Sequence, residues 1–158
     1  MKKNFKVFCA SLLLGCLMAF PSQAAETKAE YKEAITPIRS EIQEINHNLK
    51  TLREDNKASA AAYKAVRTSK KGNGSLPIDK ANWKKAKELH SQITSIRKNM
   101  EKSSIKALHQ NARTAVKQKD YDAALQTMEN ILDIKEQRLK DVKQMHEIWQ
   151  EIDELLTQ

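Results

Sequence analysis

From Tyr31 onward, apolar residues return at alternating steps of four and three: Tyr31, Ile35, Ile38, Ile42, Ile45, Leu49 and Leu52. That spacing is the seam of a helix packed in coiled-coil fashion. The same phase runs on through Asn56, Ser59, Tyr63 and Val66 and predicts one helix over about residues 28–68. Pro37 interrupts it. The unbroken apolar phase across Pro37 favours a kink, the alternative being a helix start with Thr36 as N-cap and Pro37 at the first helical position. Where the seam turns polar at Asn56 and Ser59, before Ala60-Ala61-Ala62, the pattern predicts thin packing and local breathing.

Residues 69–78 are the one stretch that clusters Gly, Asn, Ser and Pro, and they read as a loop. Asp79 then suits the N-cap of a second helix over about residues 79–118. Its seam is Trp83, Ala86, Leu89, Ile93, Ile96, Met100, Ser103 and Ala107, with Leu108, Ala112 and Val116 continuing the stripe. Ser103-Ser104 is a soft point where this helix would divide. A turn over residues 117–122 leads to a third helix over about residues 121–157. Its stripe is Leu125, Met128, Leu132, Leu139, Val142, Met145, Trp149, Ile152 and Leu156. No alternating strand pattern occurs. The expected fold is all-α: an elongated antiparallel three-helix bundle, coiled-coil-like and up-down-up, each helix roughly 55–60 Å long. Only three Gly and three Pro in 158 residues agree with long helices and few turns.

Charge refines the pairing. The second helix carries ten Lys and Arg against three acids, and the third carries four against ten. A hairpin turning near residue 119 sets residue i opposite about 239 − i. Lys84, Lys85 and Lys87 are then expected to pair with Glu151, Asp153 and Glu154. The same arithmetic, with a loop centred near residue 74, collects Tyr63, Trp83 and Trp149 at one end of the bundle and Tyr31 with Tyr121 at the other. The first cluster reads either as a plug or as a candidate binding notch.

The N-terminus reads as an address. Lys2, Lys3 and Lys6 precede an apolar run from Val7 to Phe20, too short for a transmembrane span, and Ser22-Gln23-Ala24 supplies the small residues of a cleavage site. Residues 1–24 are therefore expected to be a signal peptide cleaved after Ala24, leaving one helical domain over residues 25–158. Leu13-Leu14-Gly15-Cys16 is a competing lipobox, but the run stays apolar beyond Cys16, which favours an unlipidated chain. Cleavage removes Cys9 and Cys16, so the mature chain has no thiol for disulfides, nucleophilic catalysis or metal binding. It also removes three lysines, lowering the net charge from +8 to +5. The expected location is the periplasm or the exterior of a bacterial cell.

Catalytic chemistry has no foothold in the pattern. His47, His90, His109 and His146 have no ligand spacing; His47 and His109 fall on solvent faces and His90 and His146 flank the seams. There is no phosphate-binding glycine loop, nucleophile elbow or inward-facing Glu-x-x-His. No catalytic residue, metal site or cofactor is expected. The residual basic surface comprises Lys70, Lys71, Arg97, Lys98, Lys102 and Lys106. Without aromatic residues interleaved among these cations, nucleic acid is not an expected partner. An anionic membrane face, an anionic polymer or an acidic protein is.

In outline, a small, exported, basic, helical chain is similar to the Spy/CpxP-like extracytoplasmic chaperones. Ile35-Thr36-Pro37 resembles that family's Leu-Thr-x-x-Gln element, with Arg39 where Gln would stand. The outline also resembles the Skp/OmpH chaperones, although this mature chain opens on a helix rather than a strand. The stretch from Ala112 to Leu132 resembles a single tetratricopeptide helix turn. No functional residue transfers from these resemblances. The expectation is an exported, non-enzymatic helical binding protein of the bacterial cell envelope. It would act as a chaperone or adaptor, holding a protein client or envelope partner in an apolar groove rimmed by Lys and Arg. The alternatives are a structural coiled coil that homo-oligomerises along the same seams, or a binder of polyanions or membrane surfaces.

Overall fold

The structure is a computed structural model that describes residues 25–73, 78–100 and 104–157, the side chains of residues 70–73 excepted. The predicted signal peptide with Cys16, the centre of the predicted loop, and the side chains of Lys70, Lys71 and Lys102 lie outside the described residues. Those described are all helix and short connection, with no strand. Four helices follow in order: α1 (Lys28–Asn73), α2 (Lys80–Asn99), α3 (Ile105–Gln118) and α4 (Tyr121–Thr157).

Each start has a local cause. Thr27 and Glu30 form a capping box: Thr27 Oγ1 accepts from the Glu30 amide, while Glu30 Oε2 accepts from the amides of Glu26 and Thr27. Asp79 Oδ2 accepts from the Ala81 and Asn82 amides at the start of α2. The Ser104 hydroxyl accepts from the Ala107 amide and opens α3. Asp120 Oδ1 accepts from the Ala123 amide at the start of α4. Between α3 and α4, Lys119 takes a left-handed conformation (φ 64°), its amide donating to the Val116 carbonyl and that of Asp120 to the Ala115 carbonyl. This crossed pair satisfies carbonyls that the last turn leaves open.

Two expectations about continuity resolve differently. Pro37 stays inside α1, which runs unbroken across it for 46 residues, about 69 Å at ~1.5 Å per residue. Pro37 lies on the exposed side, where a carbonyl without its helical donor meets water. The second predicted helix does divide: α2 ends at Asn99 and Ser104 caps a new helix. The new start shifts the buried phase. Ala107, expected on the seam, is exposed, while Ile105, Leu108, Ala112, Ala115 and Val116 turn inward.

The fold is organised around α4, which packs against α1, α2 and α3. Residue numbers rise together along α1 and α4: Ala25 meets Asp122, Lys135 meets Asn46, and Trp149 meets Tyr63. They run oppositely along α2 and α4, where His90 meets Trp149, the pairing given by 239 − i. Neighbours on two sides need a wider apolar face than one seam. Ala124, Ile131 and Ile148 are accordingly buried beside the predicted stripe of α4. By contrast, no Cα of α1 comes within 8 Å of one in α2 or α3 among the described residues. The clefts this leaves define the surface.

Candidate functional site

Tyr63, Trp83 and Trp149 come together, as their helix positions require, and His90 joins them. The Tyr63 ring lies between Trp83 and His90, centroid distances 5.2 and 4.6 Å, nearly parallel to both. Trp149 stands edge-on to Tyr63 and His90 at 6.0 and 5.8 Å. The spacing and angles are those that aromatic quadrupoles favour. Tyr63, Trp83 and Trp149 are only 5, 4 and 1% exposed, so as placed the rings fill the space between α1, α2 and α4. The Trp149 indole N–H is buried without a hydrogen-bond partner among the described residues. Burial, with Arg97 and Arg67 nearby, pushes His90 below the ordinary histidine range. Burial also pushes the Tyr63 hydroxyl upward, partly opposed by Arg67.

One and two helical turns away on α1, the polar positions expected to weaken the seam have partners instead. Asn56 is buried; its amide nitrogen lies 3.5 Å from the Val142 carbonyl and its oxygen faces His146 Nδ1 at 3.0 Å. The Ser59 hydroxyl donates to Asp153 Oδ2 at 2.5 Å. The polar interruption is therefore a set of specific cross-links between α1 and α4. The expected pairing of Lys84, Lys85 and Lys87 with Glu151, Asp153 and Glu154 is not formed. The three lysines point into solvent, no ion pair joins the two sets, and Asp153 turns to α1 instead. Exposed lysines lose side-chain entropy on pairing and gain little Coulomb energy in water.

The basic residues singled out in the sequence are dispersed where they are described. Arg97 and Lys98 are exposed in the last turn of α2, where cations suit the helix dipole, and Lys106 is exposed in the first turn of α3. Among the described residues, no group of three His, Cys, Asp or Glu side chains is placed to hold a metal. No described helix is long and apolar enough to cross a membrane.

Two depressions lie elsewhere. The first, about 560 Å³, runs between α1 and α3 above α4. Its floor is Tyr31, Ile42, Ala112, Val116 and Met128; its rim is Arg39, Gln43, His109, Arg113 and Lys117. Among the described residues, no carboxylate lines it. His109, expected to face solvent, is half-buried here; burial and the nearby Lys135 and Arg113 hold it below the ordinary histidine range. The signal for this rim was present in the sequence: His109, Arg113 and Lys117 recur every four residues and share one stripe beside Ala112 and Val116. The second depression, about 380 Å³, lies between α1 and α4 and is lined by Asn46, Leu49, Lys50, Arg53, Glu54, Lys57, Lys135 and Arg138.

No protein-family model matches the chain, and no characterised protein or solved structure is significantly similar to it.

Proposed function

We propose that the chain is an exported, non-enzymatic binding protein of the bacterial cell envelope, a chaperone or adaptor built as an antiparallel three-helix bundle whose middle arm is broken into α2 and α3. The observation that carries this reading is the α1–α3 groove, an apolar floor beneath a rim that is cationic and free of carboxylates. Such a groove takes an apolar segment flanked by acidic groups: the floor supplies the burial energy and the rim selects by charge. No Cα of α3 comes within 8 Å of one in α1, and among the described residues no hydrogen bond or ring contact joins these two helices as the ring stack joins α1 and α2.

Export is supported by the N-terminal pattern and by Ala25. That residue is buried, and its backbone nitrogen donates to Asp122 Oδ1 at the start of α4. Cleavage after Ala24 turns this nitrogen into an ammonium, for which a carboxylate is the natural partner.

The test is suppression of aggregation. Light scattering of an unfolding acidic client should fall when the protein is added at about equimolar amount. Val116→Asp, which puts an anion on the groove floor, should remove the effect while circular dichroism stays helical. Equal protection by the variant, or none by the unaltered protein, would overturn the reading.

A further inference from the structure

The α1–α4 depression differs from the groove in chemistry. Lys50, Arg53 and Lys57 recur at steps of three and four and share one face of α1. Lys135 and Arg138 line it from α4, and Glu54 is the one carboxylate on the wall among the described residues. Lys135 is half-buried, and its ammonium donates to the Asn46 side-chain oxygen at 2.6 Å, a neutral partner. Burial, then Arg138, then Arg53, pull its pKa below the ordinary lysine range, with no carboxylate among the described residues pulling the other way. Lys50, Arg53, Lys57 and Lys135 form no ion pair among the described residues. Lys50, Arg53 and Lys57 are exposed, but Lys135 is half-buried beside them; a partly desolvated ammonium among like charges carries a standing cost, and an arriving anion removes it.

We propose that this pocket is a binding site for a phosphate group. Phosphate is favoured over a carboxylate because the donors are several and come from two helices, α1 and α4. A tetrahedral group with several acceptor oxygens can use them together, and Arg53 can bind two of those oxygens at once. The pocket is independent of the α1–α3 groove, although the two fields join where Lys135 lies close enough to His109 to depress its pKa. A soluble polyphosphate, a phosphate ester and a lipid headgroup all present this group, and the chemistry at the pocket is the same for each.

The probes are inorganic tripolyphosphate and vesicles of phosphatidylglycerol, with phosphatidylcholine vesicles as the uncharged reference, all at one ionic strength. The variant Arg53→Gln/Lys135→Gln is compared with Lys84→Gln/Lys85→Gln, which loses equal charge from an exposed face of α2. Calorimetric titration should show tripolyphosphate binding weakened at least about tenfold by the pocket variant and by less than about twofold by the control. Without ligand, the pocket variant should melt no lower than the unaltered protein, because it relieves crowding. Phosphatidylglycerol vesicles that compete with tripolyphosphate for the same residues support a site open to headgroups. Vesicles that do not compete support a site for soluble phosphates. Absence of tripolyphosphate binding, or an equal loss in both variants, overturns the proposal.

Discussion

Asn56 and His146 form a hydrogen bond of 3.0 Å across the α1–α4 face, and the direction of that bond is determined by their neighbours. The Asn56 amide group turns its nitrogen toward the Val142 carbonyl, so its oxygen is the group left for His146. His146 Nδ1 must then donate. Nε2 then faces the Gln150 side-chain amide at 3.2 Å, so both ring nitrogens are engaged. A heptad position that would ordinarily hold leucine thus carries a polar link that fixes α1 against α4 in one register.

Breaking one half of this link should cost more than replacing both halves. Asn56→Leu strands the His146 donor, and His146→Leu strands the buried Asn56 oxygen. Each single change is expected to lower stability by about 1–3 kcal/mol. The double variant should recover much of the loss, with a coupling of at least about 0.5 kcal/mol. Urea denaturation of the four proteins measures it. Simple additivity would show that the two side chains do not act together.

The ring stack makes a second prediction. Among the described residues, Tyr63 is the one that α1 contributes to the aromatic cluster, and it fills the space between α1 and α2 where the two backbones stay apart. Tyr63→Ala should therefore cost about 3–5 kcal/mol, the range for truncating a buried aromatic residue. Tyr63→Phe keeps the ring and should cost far less. The chain has two tryptophans and both touch Tyr63, so tryptophan emission reports on this end of the molecule. The Ala variant should shift that emission to the red before global unfolding. An unshifted spectrum would mean that Trp83 and Trp149 remain enclosed without the tyrosine.

These relationships were legible in the sequence to different depths. Helical spacing decides which residues share a stripe, so the meetings of Tyr63 with Trp83 and Trp149, and of Tyr31 with Tyr121, follow from register arithmetic. Spacing does not decide how far apart two helix axes lie. That distance depends on side-chain bulk: the rings fill the gap between α1 and α2, whereas the separate gap between α1 and α3 has no such stack, and His109, Arg113 and Lys117 rim the groove that remains. The lysine–acid pairing failed for a related reason. Charge totals per helix describe a field but not a contact, and Asp153 accepts from the Ser59 hydroxyl on α1 instead. Asn56 was legible as a break in the seam; its partner on α4 became identifiable only with the third dimension.

Acid should loosen the ring cluster. His90 and His109 are both held below the ordinary histidine value in the folded chain, the first mainly by burial with Arg97 and Arg67, the second mainly by burial with Lys135 and Arg113. The unfolded chain then binds protons more readily than the folded one. Stability should be highest above about pH 6.5 and fall as the pH drops below it, the loss running through the folded values. Glu41 acts oppositely at lower pH. Burial and the neighbouring Glu136 and Glu44 raise its carboxyl above the ordinary value, so its protonation favours the folded state as the pH falls toward about 4.5. Denaturation midpoints between about pH 7 and 5 should decline, and His90→Phe, which keeps a ring in the stack, should flatten that decline. An unchanged slope in the variant would remove His90 from the account.

The last prediction concerns the first described residue. The Ala25 backbone nitrogen donates to Asp122 Oδ1, joining the start of α1 to the start of α4, and the capping box of Thr27 and Glu30 holds the intervening chain in place. In an unprocessed chain this nitrogen is a peptide amide. In a chain beginning at Ala25 it is an ammonium, and the bond to Asp122 becomes charge-assisted, with a value of about 1.5–3 kcal/mol when partly buried. A protein beginning at Ala25 should therefore be more stable than the same protein carrying Gly-Ser ahead of Ala25. Asp122→Asn should destabilise the first and leave the second nearly unchanged, since an amide donor loses less when the carboxylate becomes neutral. Thermal melts of these four proteins give the comparison, and the intact mass of the exported protein establishes which N-terminus the cell makes. If Asp122→Asn lowers both forms equally, Asp122 acts only through the first turn of α4, and the new N-terminus has no part in holding the helices together.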